Sequence, residues 1–354
     1  MIVRAFITHK QAENFSDCQD RFGVNPDTKS VALSDGMGAT WQQKIWAKLL
    51  VDTYVNDTNW TPSKETIKPL CQQWRDKVAA FIQKLKDNNA PENMIYRNER
   101  NLAEGRSAGA TFVGIRFNGN EWNGSVLGDS CLIEWDENKA KFNTSQNTET
   151  FDSYPDYFDS DASKEGKGIP TPIEGVIAEG KYLLLVSDPF SEFLLEHNKL
   201  GNIANYVQQL LSLASHDDFE KLVCEWRKEG MHNDDTTLVI VEYDRSKKLT
   251  IKHKDNIDEM IETEKLSQNS ANDVIDNATT PHENPSQEKT EVVENSAVVQ
   301  NCDKAFIDEF QIEYQRCLQK KYLKCMCKLK YKWTQKAVKE ALNILFEKYS
   351  VIKK

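Results

Sequence analysis

Val31-Ala32-Leu33-Ser34-Asp35-Gly36-Met37-Gly38 is an apolar run that stops on an aspartate and then turns through two glycines. Apolar residues bounded by turn residues read as a strand, so the Asp35 carboxylate is expected at a strand end. The pattern recurs along the chain. Asp20 stands just before a strand starting at Phe22, and Asp129 follows a strand in Gly128-Asp129-Ser130. Asp188 ends Leu185-Val186-Ser187-Asp188, and Asp234 with Asp235 precedes Thr236-Thr237-Leu238-Val239-Ile240-Val241. Any one of these has an ordinary explanation, because Asp-Gly is a common turn pair and Asp caps helices well. Turn chemistry does not explain an aspartate at every one of these ends. Carboxylates at several strand ends can converge on one rim of a sheet, and such oxygen donors suit Mg²⁺ or Mn²⁺, with water filling the remaining positions. No His-x-x-x-His or Cys-x-x-Cys nearby suggests zinc. Cys325-Met326-Cys327 is too tightly spaced for the usual zinc motif and reads as structural.

Outward from these positions, residues 2–8 and 22–33 read as strands flanking a polar loop. Residues 41–56 and 65–88 read as helices, with Ile45, Leu49 and Tyr54 on one face of the first. Three short strands over 110–117, 121–127 and 131–136 are separated by Asn-Gly and Gly-Asp turns. Residues 143–172 hold few large aliphatic side chains and several Asp, Ser and Pro, which predicts a long surface loop. A continuous apolar strand over 182–186, two or three helices over 191–228 and a last strand over 236–243 complete a folded domain of residues 1–245. Strands in antiparallel runs with helices packed on them predict an α+β fold.

The chain has 354 residues, of which 39% are hydrophobic, and 45 basic against 55 acidic residues give a net charge of −10. That balance argues against a general nucleic-acid binder, which needs a basic face. No apolar run approaches the roughly 18 residues of a membrane-spanning helix, and no secretory h-region is visible. The eight cysteines lack the pattern of a secreted scaffold and are read as reduced thiols of a cytoplasmic protein. The mean hydropathy of −0.64 is too polar for a chain that is globular throughout. Residues 255–301 carry no aromatic residue and many Glu, Asp, Asn, Ser and Thr, which predicts an acidic disordered linker. Beyond it, Phe306, Phe310, Tyr314 and Leu318 recur at helical spacing, as do Trp333, Ala337, Ala341 and Leu345, among crowded lysines. Residues 302–354 therefore read as a basic helical hairpin. Tethered in this way, it is expected to dock a partner such as a cognate Ser/Thr kinase or a substrate by raising effective concentration.

Taken in order, Cys18-Gln19-Asp20, Ser34-Asp35-Gly36-Met37-Gly38, Gly109-Ala110-Thr111, Gly128-Asp129-Ser130, Ser187-Asp188 and Asp234-Asp235-Thr236-Thr237 resemble the PP2C family of metal-dependent protein phosphatases. Ile7-Thr8-His9 and the Gln19-Asp20 pair look closer to its bacterial branch, and the resemblance covers about residues 1–245. It implies a four-layer αββα sandwich of two antiparallel sheets flanked by helices, here followed by a C-terminal helical extension. It also implies two Mn²⁺ or Mg²⁺ ions bridged by Asp35, with the Gly36 carbonyl on the first and Asp188 and Asp234 on the second. Asp20 would act through a water on the metal, and Asp129 would ligate a weaker third ion. The implied activity is hydrolysis of phosphoserine and phosphothreonine in a phosphorylated protein substrate by metal-activated water. The catalytic residues would be Asp20, Asp35, Asp188 and Asp234, without a protein nucleophile.

Four departures from the family pattern stand out. Ala39 replaces a common glycine, and Met37 replaces the histidine of animal members. Pro189 replaces the glycine after Ser-Asp, which is expected to shift the Asp188 loop. No arginine shortly precedes Asp20, leaving Lys10 or His9 as candidate phosphate binders. The alternative these departures support is a pseudophosphatase that binds phosphoproteins or acts as a scaffold without turnover.

Overall fold

Strands with two apolar faces and helices with one apolar stripe sort this chain into layers. The computed structural model describes residues 1–145, 155–164 and 166–276, with side chains to residue 266. Strand β1 (Ile2–Thr8) leads into the hairpin of β2 (Arg21–Asn25) and β3 (Ser30–Ser34), so residues 22–33 are two strands about a turn in which Lys29 has φ 52°. Helices α1 (Gln43–Asn56), α2 (Lys68–Asp87) and α3 (Glu92–Ala103) follow. Next come β4 (Gly109–Ala110), β5 (Phe112–Asn118), β6 (Glu121–Leu127), β7 (Cys131–Asp136) and β8 (Lys141–Thr144). After them stand β9 (Phe158–Asp159), β10 (Thr171–Val176) and β11 (Lys181–Val186). Helices α4 (Asp188–Lys199), α5 (Ile203–Ser212) and α6 (His216–Glu229) precede β12 (Thr236–Glu242), β13 (Thr250–Lys254) and α7 (Ile257–Asp276).

One sheet runs β13-β1-β12-β11-β7-β8 and the other β10-β6-β5-β3-β2, while β4 and β9 make a small separate ladder. Neighbouring strands in the two main sheets are antiparallel except β1 and β13. Alternate side chains supply three cores. Val3, Ala5, Leu33, Ile115, Leu185 and Val239 fill the space between the sheets. Phe6, Ile133, Leu184 and Ile240 face outward from the first sheet onto Phe190, Leu194, Val207, Phe219 and Trp226 of α4, α5 and α6. On the opposite side, Ala32, Phe112 and Leu127 meet Trp46, Leu50, Tyr54, Trp74 and Val78 of α1 and α2. The result is an αββα sandwich, with α7 as a helical extension after it.

Three expectations need correction. Residues 143–172 are not wholly loop: β8 closes the hairpin with β7, and β10 pairs along β6. Their polar composition reflects edge positions, since β10 has no fully buried residue. The folded unit does not end at residue 245, because β13 adds to β1 as a parallel edge strand and Asp255 is buried behind it. Residues 257–276, expected within the acidic linker, form α7. Backbone pairing and the polar anchors described below hold this segment, and neither requires aromatic residues. The remaining linker residues 277–301 and the expected hairpin over 302–354 lie outside the described residues. Among the described residues no helix is long and apolar enough to cross a membrane.

Candidate metal centre

The strand register brings the aspartates together. Arg21 pairs with Ser34, so Asp20 and Asp35 lie at the same end of the β2–β3 hairpin. Val186 pairs with both Leu238 and Cys131, which sets Asp188, the start of β12 and the β6–β7 turn at one end of the other sheet. The Asp35 carboxyl feels the charges of Asp20, Asp188 and Asp129, and the Asp188 carboxyl those of Asp129, Asp234 and Asp20. All five sequence-predicted carboxylates therefore meet at one rim. Gly36 is there too, bridged to Ala110.

Each carboxylate is held by a specific local device. Asp20 is fully buried, and its Oδ2 accepts the Thr237 hydroxyl at 2.7 Å. The Asp35 N–H donates to Thr111 Oγ1 at 3.1 Å, and the Thr111 N–H donates back to the Asp35 carbonyl at 2.9 Å. Thr111 Oγ1 also lies 2.7 Å from Ser130 Oγ, so the Gly109-Ala110-Thr111 and Gly128-Asp129-Ser130 motifs are joined. Ser191 Oγ donates to the carbonyls of Asp129 at 2.8 Å and Asp188 at 3.0 Å. Asp188 opens α4 with Pro189 in its first turn, where a missing N–H costs nothing and φ near −65° suits the helix. Pro189 thus begins a helix, and the Asp188 carboxyl stands with the others.

Two neighbours of Asp234 play different parts. Asp235 is almost fully buried and accepts the N–H groups of Lys10 at 3.0 Å and Gln19 at 2.7 Å, stitching loop 9–20 across the rim. Lys10 Nζ reaches Asp234 Oδ1 at 3.0 Å. His9 instead faces Glu264, with Nε2 at 3.6 Å from its Oε1. Of the two candidate phosphate binders, Lys10 is the one at the acidic rim. His232, absent from the expected site, has Nδ1 4.0 Å from Asp234 Oδ2, and with Asp188 it completes a trio whose ligand atoms lie within 4.8 Å of one another. Its position two residues before Asp234 was the available signal, but a lone exposed histidine carries little information.

Crowding has an electrostatic consequence. Burial first, then the charge of Asp235, pushes the Asp20 carboxyl up to about 7, against the lowering effect of the Thr237 hydroxyl. Burial and the neighbouring carboxylates likewise raise Asp35 and Asp188 well above the usual carboxylate range. The cluster therefore calls for added positive charge. Asp20 Oδ1 is buried and has no hydrogen-bond donor among the described residues, which is costly unless something cationic faces it. An all-oxygen donor set with such an orphaned atom fits a hard divalent cation.

No family model matches the chain, and no curated protein matches it. Among solved structures, the Mycobacterium tuberculosis serine/threonine phosphatase PstP is 15% identical over 68% of this chain and 98% of its own, with a TM-score of 0.41. The S. agalactiae serine/threonine phosphatase is 14% identical over 68% and 99%, with a TM-score of 0.42. PppA of Pseudomonas aeruginosa is 16% identical over 68% and 97%, also with a TM-score of 0.42. At TM-scores below 0.5, chemistry must be argued from the side chains.

Proposed function

We propose that this chain is a metal-dependent phosphomonoester hydrolase acting on phosphoserine and phosphothreonine in proteins. The observation that carries this reading is the convergence of Asp20, Asp35, Asp129, Asp188 and Asp234 on one rim, with a buried Asp20 oxygen that lacks a donor. Asp35, the Gly36 carbonyl, Asp188 and Asp234 would hold Mn²⁺ or Mg²⁺ there, and Asp129 would serve a weaker further ion. Bound there, the cations would neutralise phosphoryl oxygens and lower the pKa of the water that attacks phosphorus.

The chain's own residues supply orientation and charge. Thr111 and Ser130 fix the Asp35 backbone, and Thr237 fixes Asp20. Lys10, held over Asp234, carries an ammonium that can turn toward a phosphate dianion. Ser, Cys and His are not needed as nucleophiles. Pro189 suits the first turn of α4 and Asp188 remains within the carboxylate cluster, which weighs against the pseudophosphatase alternative.

The test is hydrolysis of p-nitrophenyl phosphate and of a phosphothreonine peptide with Mn²⁺ or Mg²⁺. Metal-dependent turnover should fall by about 10³-fold or more in Asp35→Asn, a loss of roughly 4 kcal/mol of transition-state stabilisation, and vanish with EDTA. A folded wild-type chain that turns over neither substrate with either metal would reject the enzyme reading in favour of the pseudophosphatase.

A further inference from the structure

His232 makes the second cation position different from an all-oxygen one. We propose that His232 is a third protein ligand beside Asp188 and Asp234, and that its imidazole biases this position toward Mn²⁺ over Mg²⁺. The inference rests on the metal-dependent reading above and concerns which ion that centre selects.

The backbone around His232 is fixed on both sides. Helix α6 ends at Gly230, whose φ of 116° turns the chain out of the helix. Met231 is then buried in the core under α4, α5 and α6, and its N–H donates to the Trp226 carbonyl at 2.9 Å. On the other side, Asn233 Oδ1 accepts the Gln11 N–H at 2.8 Å, and Arg227 Nη2 donates to the Asp234 carbonyl at 2.7 Å. The single residue between these anchors is His232, and its ring stands beside the acidic rim while remaining 66% exposed. An exposed imidazole with no burial role is available as a donor.

The two oxygens of Asp234 divide their work. Oδ1 takes Lys10 Nζ at 3.0 Å and the Asp235 N–H at 2.7 Å. Oδ2 is the atom 4.0 Å from His232 Nδ1. Two ligands of one ion with bonds of about 2.0–2.2 Å stand at most about 4.4 Å apart, so the His232–Asp234 pair is within reach of a shared cation while Lys10 stays on Oδ1, and the trio as a whole would draw in slightly around it. Asp188 supplies the third atom within 4.8 Å. Among the described residues no other histidine joins such a trio. Mg²⁺ prefers oxygen and water, whereas a nitrogen donor favours the first-row transition ions, the series that Mn²⁺ begins at its weak-binding end.

The experiment uses the full chain, stripped with chelator and titrated with Mn²⁺ alone or in competition with Mg²⁺. Pulsed electron paramagnetic resonance of bound Mn²⁺ should show a directly coordinated ¹⁴N in the wild type and none in His232→Ala. In the same variant, one Mn²⁺ should bind about tenfold or more weakly, with a smaller change for Mg²⁺. Circular dichroism should be unchanged, because the side chain is exposed. Bound Mn²⁺ without nitrogen coupling in the wild type would overturn the His232 assignment while leaving the acidic centre standing. Coupling that persists in His232→Ala would overturn it equally. No Mn²⁺ binding by the wild type would remove both this assignment and the metal-dependent reading.

Discussion

Thr111 shows how much of the centre depends on residues that would touch neither metal nor substrate. Its hydroxyl accepts the Asp35 N–H and meets Ser130 Oγ, and its own N–H returns to the Asp35 carbonyl. Thr111→Val keeps the shape and the backbone bond but leaves two polar groups unsatisfied in a buried place. We expect a loss of about 1–3 kcal/mol in urea unfolding, and a fall in kcat larger than any rise in KM because Asp35 is no longer held in register. An unchanged kcat in a destabilised protein would reduce Thr111 to a structural role. Gly109 is constrained nearby: an added Cβ would lie 2.9 Å from Met37 Sδ and from the Tyr157 ring. The Gly109-Ala110-Thr111 motif was legible in the sequence as part of an ordered series. That Thr111 pairs with Asp35 was not, since pairing across that separation follows from the β3–β5 register.

At the scale of elements, the informative part is the clasp formed by α6, β13 and α7. Buried Asp255 accepts the Ile7 N–H and the His216 ring on Oδ2, both at 2.9 Å, and the His253 ring on Oδ1 at 2.8 Å. Farther along α7, Glu264 Oε2 accepts the Phe15 N–H at 2.9 Å, gripping the loop that carries Lys10 and Asp20. Burial alone would lower the His216 pKa, but hydrogen bonds and ion pairing with Asp255 and Glu220 outweigh it and raise it to about 9. The folded value exceeds the usual 6.5, so this stabilisation is complete below pH 6.5 and fades as pH rises through 9. Wild type should exceed His216→Ala by on the order of 2 kcal/mol near pH 6.5, with the gap shrinking by pH 9.5 in urea titrations. A gap independent of pH would exclude the ion pair as its cause. Neither β13 nor α7 was legible from composition. Thr250–Lys254 has no buried residue, and its strand character comes from pairing with β1. Helix α3 leaves little trace in the sequence for a related reason: it packs on α2 without burying any residue completely.

For the whole molecule, these contacts move the boundary at which the chain can be cut. A chain ended after residue 276 keeps every described element and is the reference for the next truncation. One ended after residue 245 loses β13, Asp255 and Glu264, and should lose about 3 kcal/mol or more, the usual cost of stripping a partner from a buried ion pair. Equal midpoints for the two truncations would show that the clasp contributes nothing. The buried strands of both sheets could be read from the sequence, because apolar patterning is local and records burial directly. The sequence by itself also determined that aspartates stand where those strands stop. Tertiary structure alone decided how those aspartates are used: Asp234 at the rim, Asp235 turned to the backbone of loop 9–20, and His232 swung beside them. The reason is physical. Periodicity encodes which face of an element is buried, whereas the meeting of Asp20 with Thr237 or of Asp35 with Asp188 depends on strand pairing and sheet stacking between distant parts of the chain.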